Sequence, residues 1–185
     1  QTLSQWLSVA SLWIYGIFPA LAGFIIGGIW QGAVILGLHW AFIPVLMNNL
    51  MTNHFDPING IMYCTLFGQV GACLAMGLKA KDKNFKEIAL PAALSGFFGI
   101  TEPIIYGVTL PHKKAFAMAS IGSALGGMIA AICHAGMYTM PGGGIFGIPA
   151  FINPKGINVQ FYGFIASLII AFVVSFVLTM IFGDV

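Results

Sequence analysis

The sequence predicts an all-α integral membrane protein, a set of transmembrane helices interrupted by one or two re-entrant hairpins. Three observations carry that expectation. Charged residues make up 6% of the 185 positions and hydrophobic ones 59%, whereas a soluble domain carries about 25% charge. No charge precedes Asp56, none lies between Lys114 and Lys155, and none between Lys155 and Asp184. The apolar runs also lack the period-two alternation of a membrane barrel. So apolar a chain does not stay disordered. A net charge of +2 without a single arginine excludes a nucleic-acid partner. The chain opens on Gln1, with no initiator Met and no basic leader region, and reads as a piece of a longer polypeptide.

About 20 apolar residues cross a bilayer. Residues 6–30 read as the first span, with Trp6 and Trp30 as interfacial anchors. Residues 31–50 form a second apolar stretch, broken by Gly32, Gly37 and Pro44. It is either a hairpin turning around Gly37-Leu38-His39-Trp40 or an ordinary span kinked at Pro44. Residues 52–60 are a polar turn, and 61–78 a third apolar run ending at Lys79, Lys81, Lys83 and Lys86. Residues 115–138 make a span rich in small side chains suited to close helix packing. Residues 159–182 make the last and most uniform span.

Six of the seven lysines fall between Lys79 and Lys114, which places that region on the cytoplasmic side. The segment 88–112 then has lysines at both ends, so a simple crossing would strand one cluster outside. With Pro91, Pro103, Pro111 and three glycines, it reads as a re-entrant hairpin turning at Gly99-Ile100-Thr101-Glu102-Pro103. Irregular backbone at that depth is tolerated only where it is buried in protein or lines a cavity. Two interrupted apolar segments point to a transport site. The loop 139–158, with Pro141 to Gly144 followed by Ile145, Phe146, Ile148 and Phe151, reads either as a flexible outer connection or as a loop folded back over the cavity.

Glu102 is the candidate for chemistry, because a carboxyl at membrane depth costs about 2.5–3.5 kcal/mol or more. Its alternative role is a structural carboxyl held by backbone groups of the turn. Thr101 offers a hydroxyl beside it. His39 is the second candidate, and a core histidine satisfied by its neighbours is the competing reading. Asn48, Asn49 and Trp40 complete a set of amides and an aromatic ring suited to a neutral polyol. His54 and His112 lie near expected interfaces, and His134 reads as an interhelical hydrogen-bond donor. Cys64, Cys73 and Cys133 read as small buried hydrophobes. The residues alone thus suggest a helical transporter domain for a polar, uncharged solute.

These residues also carry a resemblance. Gly-Ile-Thr-Glu-Pro at 99–103, continuing Ile-Ile-Tyr-Gly-Val-Thr-Leu-Pro-His-Lys-Lys-Ala-Phe to 116, resembles the signature of the membrane-embedded IIC component of bacterial sugar phosphotransferase systems, glucose superfamily. The runs Gly-Leu-His-Trp-Ala-Phe-Ile-Pro at 37–44, Asn48-Asn49 and Pro-Gly-Gly-Gly-Ile-Phe at 141–146 resemble the same family, in the same order. The tyrosine in Glu-Pro-Ile-Ile-Tyr-Gly is most similar to the β-glucoside subgroup, with sucrose- and trehalose-type relatives near. The resemblance implies phosphoenolpyruvate-dependent group translocation by an elevator-type transport domain in the bacterial inner membrane. An external sugar is carried inward and phosphorylated by a partner IIB domain. Glu102 and His39 would act on the sugar hydroxyls, with Thr101, Gly99, Asn48, Asn49 and Trp40 around them. Neither a cofactor nor a metal ion is implied.

By the same resemblance, residues 1–185 are the C-terminal transport-domain portion. The scaffold half, which makes the whole protein a homodimer, is not among them, and the portion alone is expected to be inactive. No cysteine lies in a IIB-type phosphocysteine motif, so the phosphoryl donor would lie elsewhere. A proton- or ion-coupled secondary transporter, with Glu102 and His39 as a relay, is the rival class; a truncated, inactive membrane domain is a third.

Overall fold

The structure is a computed structural model and describes residues 2–184. Its elements run α1 (Thr2–Ile17), α2 (Pro19–Ile35), a 3-10 turn (Leu38–Phe42), α3 (Ile43–Asn53), α4 (Pro57–Lys79) and α5 (Lys83–Phe97). After them come α6 (Glu102–Ile104) with a π-helical continuation (Ile105–Thr109), α7 (Lys113–Ile132), a second 3-10 segment (Gly144–Phe151) and α8 (Val159–Phe182). Among the described residues, α4, α7 and α8 are long and apolar enough to cross a membrane. They overlap the three spans expected at 61–78, 115–138 and 159–182, the second of which stops short of its expected end.

The bundle is built around α4, whose buried face includes Ile61, Cys64, Val70, Cys73 and Met76. Small residues bring the other helices close. A side chain at Gly126 would meet Ala171 Cβ at 2.6 Å, and one at Gly23 would meet Ala131 Cβ at 2.7 Å. In a bilayer this close approach supplies dispersion contacts that no hydrophobic effect between helices provides. The outer side of α8, with Ile169, Val173, Val177 and Ile181, stays exposed as a lipid-facing surface would.

The polar ends sort to the two ends of the bundle. At one, Lys114 Nζ lies 2.7 Å from Asp184, and Lys79 Nζ donates to the Gly183 carbonyl at 2.5 Å. There too the rings of Phe85 and His112 meet edge-on at 5.1 Å. This last contact joins the start of α5 to the residue just before α7, so the intervening chain goes out and returns. At the other end Asp56 caps α4 by accepting from the Asn59 backbone at 2.8 Å, and its own backbone pairs with Met137.

Four boundaries differ from expectation. The span 6–30 is divided at Pro19, which cannot donate to the preceding turn and instead opens α2. Trp30 lies inside α2 rather than at the end of a span. The turn at 52–60 shrinks, because the Asp56 cap starts α4 at Pro57. The helix expected to reach 138 stops at Ile132. His134 takes φ +50°, Ala135 N–H returns to the Ala130 carbonyl at 2.8 Å, and Met137 is taken up by the Asp56 pairing. Finally, the stretch 31–50 is not one element: it holds the end of α2, the 3-10 turn and the first residues of α3. Its first residues complete α2, and the chain bends by 118° at Leu36–Gly37.

Candidate functional site

Two breaks in the helices create the site. The first follows α2, where Gly37 adopts φ +71°, a conformation that costs residues with a side chain about 1–2 kcal/mol. It turns the chain into Leu38–Phe42 and presents His39. The second lies between α5 and α6. There Phe98 and Gly99 N–H groups turn back onto Ser95 and Gly96 carbonyls, Ile100 N–H returns to Ser95 at 3.1 Å, and Gly99 takes φ +95°. Ser95 Oγ donates either to Ala92 at 2.7 Å or to Ile100 at 3.2 Å, holding the tip from within. The arms are unequal, 15 residues in α5 against 8 from Glu102 through Thr109, the second widened by its π-helical turn.

The breaks meet at a cavity of about 250 Å³, whose wall includes His39 from the first and Gly99, Thr101 and Glu102 from the second. Trp30, Gln31 and Val34 of α2 and Asn59, Met62, Tyr63, Thr65 and Leu66 of α4 complete it. Glu102 is exposed, and Thr101 makes no side-chain cap to the α6 backbone. Among the described residues no hydrogen bond ties the Glu102 carboxylate to the turn, and its side chain is exposed.

Of the sequence candidates, His39, Gly99, Thr101 and Glu102 share this cavity. Trp40 does not line it; its ring lies 5.3 Å from that of His39 and is 67% exposed. Asn48 is exposed on α3. Asn49 is buried elsewhere, its Nδ2 donating to Asp56 Oδ1 at 2.6 Å. There it supports the α4 cap. His54 is exposed, His112 Nδ1 lies 2.8 Å from the Val108 carbonyl, and His134, just past the end of α7, faces the Tyr15 hydroxyl at 3.3 Å. Cys64 and Cys73 are buried free thiols, Cys64 against Ser167 Oγ at 3.1 Å. Among the described residues no three His, Cys, Asp or Glu side chains converge as metal ligands.

Sequence reasoning missed the Gln31–Thr65 pair. Thr65 Oγ donates to the Met62 carbonyl at 2.7 Å and therefore accepts from Gln31 Nε2 at 2.9 Å. That fixes which way the amide points, and Gln31 Oε1 is left buried without a donor, as is His39 Nδ1 without a partner. The available signal was an amide inside an apolar run, which membrane burial makes costly.

The 139–158 loop folds back, but onto the hairpin tip. Tyr63 Oη donates to the Gly144 carbonyl, and a side chain at Gly99 would meet Gly144 N at 2.5 Å. Of its apolar residues, Phe151 is buried and stacks on Phe164 at 4.0 Å, while Phe146 lies outside against Phe98.

Residues 1–124 match the family described as "Phosphotransferase system, EIIC". The chain is 43% identical over 162 residues to the PTS system beta-glucoside-specific EIIBCA component of Halalkalibacterium halodurans, covering 87% of this chain and 26% of that protein. It is 36% identical over 181 residues to the protein of the same description in Dickeya chrysanthemi, covering 98% of this chain and 29% of that one. It is also 36% identical over 176 residues to the PTS system MurNAc-GlcNAc-specific EIIBC component of Staphylococcus haemolyticus, covering 92% and 35%. The chain thus spans between a quarter and about a third of the length of these relatives. No solved structure gives a significant match.

Proposed function

Since the chain belongs to the phosphotransferase system EIIC family, we propose that it is the transport-domain portion of a IIC sugar permease. In this reading it is a multi-pass protein of the bacterial inner membrane. It binds an external β-glucoside-type sugar in the cavity between His39 and Glu102 and presents it for phosphorylation by a IIB domain. The observation that carries the reading is the meeting of both helix breaks, with His39 and Glu102, at one cavity. Its volume suits a single pyranose ring. Both amino-sugar and β-glucoside relatives are similar to this chain, so the class is a hexopyranose and the β-glucoside the preferred member.

The chemistry follows from the groups present. The Glu102 carboxylate accepts a hydrogen bond from a sugar hydroxyl next to the reacting one, a charge-assisted bond of about 1.5–3 kcal/mol. His39 takes the proton of the reacting hydroxyl as its oxygen attacks the phosphorus on the IIB cysteine and the S–P bond breaks. The hairpin 83–112 is re-entrant, entering from the lysine side, which brings its tip toward IIB when the domain moves inward against a dimeric scaffold.

The test is sugar phosphorylation by the polypeptide as its gene encodes it, in membranes supplied with phosphorylated IIB. Glu102→Gln is expected to lower sugar binding about ten- to hundredfold with unchanged expression. Wild-type binding and phosphorylation in that variant would reduce Glu102 to a structural carboxyl. Uptake that ignores IIB and collapses with a protonophore would assign the site to proton-coupled transport instead.

A further inference from the structure

Glu102 and Thr109 open and close one arm of the hairpin, α6 with its π-helical continuation. Two turns of regular α-helix take about seven residues, so an unbroken helix would set both side chains on one face. The structure does the opposite: Thr109 is fully buried, and Glu102 is exposed at the cavity wall. Along the arm the buried pairs Ile104–Ile105 and Val108–Thr109 alternate with the exposed pairs Glu102–Pro103 and Tyr106–Gly107. The π-helical turn accounts for this longer repeat. It is closed by the Leu110 N–H on the Ile105 carbonyl at 2.8 Å. Such a turn holds one residue more than an α-turn, and one residue corresponds to about 100° of rotation. That rotation turns Glu102 away from the side on which Thr109 is buried and toward the cavity.

A rotation of this kind is useful only if one end of the arm is held. Thr109 Oγ1 donates to Gln69 Oε1 at 2.9 Å, a bond between two side chains that have no exposure at all. Gln69 lies on the buried face of α4, the helix around which the bundle is built. Among the described residues no other side-chain hydrogen bond joins the arm from Glu102 to Thr109 with α4, and Gln69 Nε2 has no acceptor. We infer that Thr109 and Gln69 are positioning residues, which peg the π-helical arm to α4 and thereby fix the rotational setting of Glu102 toward the sugar. The inference rests on the proposed role of Glu102 in sugar binding. Neither Thr109 nor Gln69 lines the cavity, so both act through Glu102. Without the peg the arm is free to relax to regular α-helical winding, with Glu102 turned out of the site. The lost bond, and the buried amide left with no partner at either end, correspond to a fall in affinity of about five- to hundredfold.

The experiment measures equilibrium binding of methyl β-glucoside, and thermal melting, for the full-length protein in detergent. Thr109→Val keeps the shape of the side chain but removes the donor, and should lower affinity by about five- to hundredfold. Thr109→Ser keeps the hydroxyl and should return affinity to within about twofold of wild type. Gln69→Met removes the acceptor and carries the test if Thr109→Val fails to fold. Coupling is the readout that a merely structural role leaves unmoved. In a Glu102→Gln background, Thr109→Val should change affinity by less than about threefold, because the carboxylate it positions is gone. An equal fall in both backgrounds, or a lowered melting temperature with wild-type affinity, overturns the positioning role and leaves Glu102 in the sugar site. Wild-type affinity in Glu102→Gln alone, or no binding of the glucoside by wild type, overturns the reading of the sugar site and this inference with it.

Discussion

Replacing Gly99 by alanine tests how the tip that carries Thr101 and Glu102 is held. Two costs arise at this position. With φ at +95° the backbone is strained for any residue with a Cβ, about 1–2 kcal/mol. The new methyl would also come within 2.5 Å of Gly144 N and 3.0 Å of Gly143 Cα, backbone atoms that cannot rotate aside. An overpacked contact of that kind costs about 1–3 kcal/mol. The sum, about 2–5 kcal/mol, falls on the hairpin tip and is relieved by local rearrangement rather than by unfolding of the α4–α7–α8 bundle. Sugar binding needs the original tip, so affinity should fall by about thirtyfold at the low end and a few thousandfold at the high end. The assay pairs sugar binding by the full-length protein with its thermal melting in detergent. Gly156→Ala is the control, since Gly156 has φ +119° with nothing within 4 Å of a new Cβ. That variant should show strain without loss of binding. Wild-type affinity in Gly99→Ala would refute the claim that glycine-on-glycine contact sets the tip.

Three further outcomes follow from the structure. Asp56→Ala removes the α4 cap and the bond from Asn49, and should cost about 2–4 kcal/mol, read as a lowered melting temperature with the sugar site chemically intact; a change under about 0.5 kcal/mol would show the cluster to be dispensable. His39→Gln should keep much of the sugar affinity but lose phosphoryl transfer, because glutamine shares hydrogen bonds but takes no proton near neutral pH; an equal fall in both would make His39 a shaping residue only. Single cysteines at positions 83 and 114, in a background without Cys64, Cys73 and Cys133, should be labelled by an impermeant reagent from the same side of the membrane; opposite labelling would sink the re-entrant hairpin.

The contrast between what the sequence disclosed and what it hid has a physical basis. Spans α4, α7 and α8 were readable because length and hydropathy in a bilayer are local properties. The second break was readable because Gly99 and Pro103 interrupt an otherwise apolar segment, a local property of the sequence. His39 and Glu102 stood out as isolated ionisable groups in apolar surroundings. Asn49 misled, because an amide looks the same whether it awaits a ligand or satisfies Asp56, and only tertiary contacts tell which. Gln31 was hidden for the same reason: its importance comes from Thr65, 34 positions away. The early end of α7 depends on Met137 pairing with Asp56, a non-local competition that no helix-propensity argument contains.

The contact between Gly99 and Gly144 bears on the distance a sugar has to travel. On the placement proposed above the hairpin reaches in from the lysine side, and the 139–158 loop meets its tip backbone to backbone. At that point the roughly 30 Å of hydrocarbon is replaced by two protein arms with almost nothing between them. In the proposed function a sugar in the adjoining cavity lies beside this contact rather than in hydrocarbon. A hydroxyl-rich molecule then never needs to shed its hydration across the full insulating layer. On the same placement Glu102, which shares the cavity wall with Gly99, carries its charge beside that contact rather than at either membrane face.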